Sequence, residues 1–423
     1  MVALDARDDR LARARQPGLT AIELAFLPFV FFERAERADE VSLFVSVLGD
    51  QRASEVDDPQ PRPLQQGDGL FGHHPEEFFA GPRLQPVGAE LQDHGGLPRH
   101  GFGADSSLGS MKIAILDDYQ EVALGFGDWG SLGADIEVFT KPFADPADVV
   151  ARLRDFEVVV AMRERTRFPA EVLDRLPALK LLVSTGHRNA AIDVAAARRN
   201  GVVVCSTGYI AAPAAEHTWA LILAAARNVP VESRNMREGG WQTTVGTILS
   251  GKTLGLLGLG RLGAGAAKIG QAFGMETIAW SQNLTQEKAD PHGVTAVSKD
   301  ELFARADVLS VHLVLSDRSR GLVGEPELAA MKPTAMLVNT SRGPIVDEAA
   351  LVDALRRKEI AVAALDVYDV EPLPAEHPLR TLDNVVLTPH IGYVTRETYE
   401  IFYRDAVEDI AAFQAGSPIR VME

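Results

Sequence analysis

The chain has 423 residues, room for two or three domains, and is 46% hydrophobic and 24% charged, which is ordinary globular composition. Its net charge of −17 argues against a nucleic-acid partner, because such binding relies on lysine and arginine to neutralise phosphates. A single cysteine, Cys205, excludes internal disulfides and fits a reducing, cytoplasmic compartment. No apolar run is long enough to span a membrane as a helix, and no metal site is expected.

Residues 1–110 differ in kind from the rest of the chain. They contain no Lys, Asn, Tyr, Trp or Cys and one isoleucine, Ile22. The apolar stretch 21–32 follows several arginines, but Glu23 and Pro28 interrupt it, so neither a signal peptide nor a span is expected. Clusters at 26–32 and 41–48 suit short helices or strands. Residues 51–110, rich in Gly, Pro, Gln, Asp and His without a period, read as loop or disorder. Two readings of this leader compete: a regulatory or targeting extension, and an upstream start placed ahead of a natural one at Met111. The strand-like stretch that begins at Met111 favours the second.

From 111 to 211 strands and helices alternate. Strands are expected at 113–116, 136–139, 158–161, 181–184 and 202–205, and helices at 145–154, 169–176 and 192–199. Asp145 followed by Pro146 marks a helix start, and Asn200–Gly201 a helix end. Apolar strands separated by helices predict a parallel sheet covered on both faces. The loop Thr185, Gly186, His187 follows a strand at the carboxyl edge, where open sheets bind ligands. Its backbone N–H groups could hold a carboxylate; equally, Gly186 could be only a left-handed connection.

Residues 213–226 form a long apolar helical run suited to linking two halves and to a subunit contact. Then 252–280 reads as strand, glycine turn, helix, strand. Gly258, Gly260 and Gly263 have G-x-G-x-x-G spacing: a tight turn, close approach of a pyrophosphate, and close helix–strand packing. The helix start offers free N–H groups to phosphates. The second strand ends at Trp280, Ser281, Gln282 and Asn283, with no acid for a ribose 2′-hydroxyl and no adjacent arginine for a 2′-phosphate. NAD is expected, with NADP open.

Further strands at 307–311, 335–339, 361–365 and 385–388, with helices at 325–330 and 347–358, complete the second α/β unit. Just past strand ends stand Arg342, Asp366, Glu371 and His390. A histidine can move the hydroxyl proton when hydride is transferred at carbon. A carboxylate on its other nitrogen fixes the tautomer, and an arginine can grip a carboxylate by two points. Singly, each has a plainer reading: Arg342 a surface charge, Glu371 a turn before Pro372, His390 a cap after Pro389.

From Met111 onward the chain resembles the D-isomer-specific 2-hydroxyacid dehydrogenase family. The likeness rests on the glycine turn 258–263, on Asn339-Thr340-Ser341-Arg342-Gly343, on Asp366-Val367-Tyr368-Asp369-Val370-Glu371-Pro372 and on Pro389-His390-Ile391-Gly392. It implies an α/β fold with two parallel-sheet domains. These are a flavodoxin-like substrate domain, residues 111–211 plus 393–423, and a Rossmann NAD(P)-binding domain, residues 212–392. The helix 397–413 would cross back onto the first. The resemblance implies hydride transfer between a nicotinamide cofactor and a small D-2-hydroxy or 2-oxo acid, glyoxylate- or hydroxypyruvate-like. His390 would be the acid/base, Glu371 its partner, and Arg342 the anchor of the substrate carboxylate and carbonyl. Thr185, Gly186 and His187 would add backbone contacts to that carboxylate. Asp366 would bind the nicotinamide carboxamide, Arg261 and Leu262 would lie along the pyrophosphate, and Thr340 and Ser281 would touch the cofactor. A homodimer is implied. The leader has no family counterpart, Ser281 replaces the usual acid, and the regulatory module of long phosphoglycerate dehydrogenases is not expected after Glu423. The rivals are a phosphoglycerate dehydrogenase without that module and an NAD(H)-sensing, corepressor-like interaction protein. The formate-using relative is disfavoured, since it pairs its histidine with Gln where this chain has Glu371.

Overall fold

The structure, a computed structural model, describes residues 31–34, 43–46 and 110–423. In the leader, β1 (Phe31–Arg34) and β2 (Leu43–Ser46) pair antiparallel, with Phe31 opposite Ser46. The stretch 51–110 expected to be loop lies outside the described residues, save Ser110.

Beyond the leader the chain builds two sheets, each wholly parallel. The first contains β3 (Lys112–Ile115), β4 (Asp135–Val138), β5 (Val158–Ala161), β6 (Leu181–Ser184) and β7 (Val203–Ser206), in the order β4-β3-β5-β6-β7. This is the flavodoxin-like order. Every residue of β5 and β6 is buried, so neither strand alternates; helices cover both faces. Helix Pro146–Leu153 begins where Asp145 accepts hydrogen bonds from the N–H groups of Ala147 and Asp148. The helix expected at 169–176 is only Ala170–Leu173, because Pro177 pushes Leu176 out of helical geometry.

One face of this sheet packs Leu153, Phe156, Phe168 and Leu173. The other face is closed from the far end of the chain. Helix Arg396–Gln414 lays Tyr399, Phe402, Tyr403, Ala406 and Ile410 against Ile113, Ile115, Val158 and Val183. The last residues then run beside β7: Ser206 N–H donates to Arg420 O, and Met422 N–H to Val204 O. They cover an edge that would otherwise present unpaired backbone groups.

The second sheet contains β8 (Thr253–Leu257), β9 (Glu276–Trp280), β10 (Thr295–Ala296), β11 (Val308–Val311), β12 (Met336–Asn339), β13 (Val362–Leu365) and β14 (Val385–Leu387). Its order is β10-β9-β8-β11-β12-β13-β14, a Rossmann sheet with one added strand. The chain reverses its order between β8 and β11, and ligands bind at such a switch point. Helix Ala212–Ala226 joins the sheets and buries Trp219, Leu221 and Ile222 against Leu254, Leu256 and Ala364. Trp219 stacks on Phe273 with ring centroids 5.1 Å apart. Three helices went unanticipated: Val229–Arg237, the single turn Gln286–Ala289, and Lys299–Arg305, opened by a Ser298–Glu301 capping box. Among the described residues no helix is long and apolar enough to cross a membrane.

Candidate active site

The glycine turn lies at the switch point. Gly258 has φ +106, and a Cβ there would come within 2.8 Å of His312 O, just past β11. A Cβ on Gly263 would overlap Gly258 O, so only glycine lets helix Arg261–Ala272 seat so closely on the turn. Above Gly260 there is nothing within 4 Å, and no side chain caps the helix start. Open space over uncapped N–H groups is what a pyrophosphate needs. Arg261 is exposed and Leu262 half-buried beside it. Beneath the turn, burial lowers His312 to about 4, so its ring is neutral where it meets Ser310 Oγ at 2.9 Å.

Ser281 follows β9 and is half-buried. No arginine neighbours it in sequence, but the fold corrects that picture. Arg318, from the loop after β11, donates through Nη1 to Gln282 Oε1 at 3.3 Å. The crossover at the switch point brings the two loops together although 36 residues separate them.

The ends of β12, β13 and β14 carry the other groups. A Cβ on Gly343 would overlap the backbone of Tyr368, so the loop bearing Arg342 packs directly on the loop leading to Glu371. Glu371 Oε2 lies 2.5 Å from His390 Nδ1, and its Oε1 accepts from Tyr368 N–H at 2.9 Å. The imidazole and carboxylate side chains are 22% and 32% exposed, open enough to meet a ligand. His390 has φ +54, a left-handed conformation unfavourable for a side-chain-bearing residue. Asp366 offsets it by accepting from Ile391 N–H and Gly392 N–H, both at 2.9 Å.

Asp366 is itself buried, and also meets Thr388 Oγ1 at 2.6 Å and His217 Nε2 at 3.2 Å. Burial works to raise its carboxyl, but the hydrogen bonds from His217 and Thr388 outweigh it and hold the group below its ordinary value. A contact to a nicotinamide carboxamide would therefore be added to a carboxylate that already organises the His390 loop. Thr340 Oγ1 pairs with Thr218 Oγ1 of the joining helix at 2.7 Å.

On the first sheet, two of the three amides expected to receive a substrate carboxylate are committed. Thr185 N–H donates to Ala161 O at 3.0 Å, and Gly186 N–H to Thr207 Oγ1 at 2.7 Å. The sheet ladder continues one residue past β6 and uses the first, and the Thr207 hydroxyl takes the second, which the sequence pattern does not reveal. Gly186 does adopt a left-handed φ of +83. His187 and Arg188 are exposed.

Sequence reading also missed Glu164. It stands in the loop after β5 and takes Arg342 Nη2 with both oxygens, at 2.8 and 2.9 Å. Burial raises its carboxyl, but Arg342 and Arg163 outweigh burial and hold it below the usual range. His390 acts on the same carboxyl, so Arg342, Glu164 and His390 share one neighbourhood. No periodic signal marks a contact between residues 178 positions apart.

Comparison with known proteins agrees with this layout. Residues 219–392 match the family model for the D-isomer specific 2-hydroxyacid dehydrogenase NAD binding domain. The chain is 41% identical over 295 residues to a glyoxylate reductase of Aeropyrum pernix, covering 67% of this chain and 87% of that one. It is 37% identical over 313 residues to a D-3-phosphoglycerate dehydrogenase of Archaeoglobus fulgidus, covering 73% of this chain and 58% of the relative, so it spans little more than half of that protein. Among solved structures, a phosphoglycerate oxidoreductase from Vibrio cholerae superposes with TM-score 0.70 at 41% identity, over 73% of this chain and all 100% of that one. An acyclic imino acid reductase in complex with NADPH and D-Arg superposes with TM-score 0.56 at 27% identity, over 74% and 100%.

Proposed function

Because the chain belongs to the D-isomer-specific 2-hydroxyacid dehydrogenase family and is an NAD-dependent oxidoreductase of CH–OH donors, we propose that it reduces small 2-oxo acids of the glyoxylate or hydroxypyruvate kind to D-2-hydroxy acids. The observation that carries this reading is the His390–Glu371 pair at 2.5 Å on the same strand-end face as Arg342. Residues 212–392 hold the dinucleotide, and 111–211 with 393–423 complete the substrate side.

The bound dinucleotide supplies hydride to C2. The protein does the rest. Arg342 grips the substrate carboxylate and polarises the C2 carbonyl. His390, as imidazolium, delivers its Nε2 proton to that oxygen, and in the reverse direction takes it back. Glu371 accepts from Nδ1–H, which fixes the ring and balances its charge. Asp366 keeps the His390 turn in its strained shape through the amides of Ile391 and Gly392. With Arg318 beside Gln282 and no acid after β9, the site accepts NADPH as well as NADH.

The subunits pair through segment 229–248, which exposes Val229, Met236, Trp241, Val245 and Ile248. The buried free thiol of Cys205, pushed up to about 12 chiefly by burial, is inert and suits the cytoplasm. A second reading, oxidation of phosphoglycerate, draws on the D-3-phosphoglycerate dehydrogenase relatives.

The test is oxidation of NADH and NADPH with glyoxylate, hydroxypyruvate and pyruvate. Turnover should be lost in His390→Ala and Arg342→Ala while nucleotide binding survives. Turnover with none of these acids, or near-normal rates in either variant, removes the assignment.

A further inference from the structure

The loop after β5 reads Arg163-Glu164-Arg165-Thr166; Arg163 Nη2 lies 3.8 Å from Glu164 Oε2, but the hydrogen bonds of the three charges go to different places. Arg163 turns back on its own sheet: its N–H donates to Thr185 Oγ1 at 2.9 Å and its Nη1 to Thr185 O at 3.0 Å. Its guanidinium also lies 5.6 Å from the Tyr209 ring centroid. Arg165 donates to Asp117 O at 3.0 Å and sits over the rings of Tyr119 and Tyr393, at 4.6 and 5.5 Å. Glu164 alone of the three crosses to the other sheet and meets Arg342.

That contact changes what Arg342 can offer. A guanidinium has five N–H donors. Nη2 spends both of its own on Glu164, and Nη1 spends one on Ser341 O at 2.7 Å. The Nε–H and one Nη1–H are left, on opposite flanks of the guanidinium, so single-point contacts remain while both two-nitrogen forks, each of which includes Nη2, are held by Glu164. The charge of Arg342 is also already countered by a carboxylate, held partly out of water at 23% side-chain exposure. A monoanionic 2-oxo acid takes one of these donors and shares Nη2 with Glu164. An acid with a second anionic group would meet the Glu164 carboxylate, on which Arg342 and Arg163 already converge, while the hydrogen bonds of Arg163 and Arg165 go to backbone oxygens.

We propose that Glu164 is a specificity-determining residue, which by holding one edge of Arg342 admits 2-oxo monocarboxylates with uncharged side groups and rejects those bearing a phosphate or second carboxylate. This rests on the 2-oxo acid reductase reading above, and it separates that reading from its phosphoglycerate rival.

The experiment measures kcat/KM for hydroxypyruvate and for 3-phosphohydroxypyruvate, in the full chain and in Glu164→Gln. Glutamine keeps the length and one acceptor oxygen for Nη2 and removes the charge. The wild type should favour hydroxypyruvate. In Glu164→Gln that preference should fall about tenfold or more, carried by a lower KM for the phosphorylated acid, as expected for one unit charge a few ångströms away. An unchanged ratio in the variant overturns the proposal. So does a wild type that reduces the phosphorylated acid as well as or better than hydroxypyruvate, a result that needs no variant to fold. A wild type that reduces neither acid brings down the underlying reading, and the proposal with it.

Discussion

Glu371→Gln probes the site with the smallest change in shape. Glu371 makes two contacts at once, Oε2 to His390 Nδ1 at 2.5 Å and Oε1 to Tyr368 N–H at 2.9 Å. Both partners need an acceptor when the ring is protonated, and glutamine has one acceptor to give. Either the amide NH2 faces Nδ1–H, or it faces Tyr368 N–H; one bond is lost in both arrangements. The variant also loses the charge opposite the imidazolium. At about 4 Å that attraction is worth roughly 1 kcal/mol in bulk water and about 4 kcal/mol at a protein-surface dielectric. With the pair 22% and 32% exposed, an intermediate value of about 2 kcal/mol is appropriate. At 1.36 kcal/mol per decade, kcat for 2-oxo acid reduction should fall about thirtyfold. Nucleotide affinity, read by quenching of protein fluorescence, should hold within about threefold, since the carboxylate is placed to serve the ring. The assay is steady-state nucleotide oxidation at one fixed pH. A kcat within threefold of wild type, or an equal loss in nucleotide affinity, would refute the reasoning.

Three more outcomes are expected. Gly263→Ala drives a methyl into Gly258 O and should weaken NADH binding at least roughly tenfold, with a strain cost of about 1–3 kcal/mol visible as a lower Tm; unchanged affinity would show that the turn tolerates a side chain. Arg318→Ala should raise KM for NADPH roughly tenfold and KM for NADH far less, the loss of one charge-assisted phosphate contact; equal effects on both would mean that Arg318 does not read the 2′-position. Asp409 is buried, with Oδ1 on Arg420 Nε at 2.9 Å, Oδ2 without a protein partner, and its carboxyl pushed up to about 7 chiefly by burial. Its folded value exceeds the unfolded value of about 3.9, so its contribution is fully present below that value and drains away as pH rises through about 7. The Tm of Asp409→Asn relative to wild type should therefore climb from pH 4 to pH 7, and a flat difference would contradict this.

Much of the layout was readable from one dimension. The fully apolar runs of β5 and β6 announce a sheet covered on both faces, and glycine spacing announces the turn at Gly258. Arg342, Glu371 and His390 stand out because each follows a strand of the same sheet, and topology alone carries them to one face. The contacts that escaped have a common cause. Glu164 reaches Arg342 from the other sheet, and Arg318 reaches Gln282 through a crossover; neither contact leaves a period or a spacing. The amides of Thr185 and Gly186 look free in sequence because nothing local shows that Ala161 O and Thr207 Oγ1 lie opposite. Ser298–Glu301 is the exception, a local capping signal that could have located helix Lys299–Arg305.

The placement of helix Arg396–Gln414 sets an order of assembly. Ile113, Ile115 and Val158 leave the ribosome early, yet the residues that cover them, Tyr399, Phe402 and Tyr403, are among the last made. The first sheet must wait half-dressed, with one greasy face bare, while the entire nucleotide-binding half is synthesised and can fold on its own local contacts. The first sheet is thus begun before the second and finished after it, and the interval of exposure grows with every residue inserted between them.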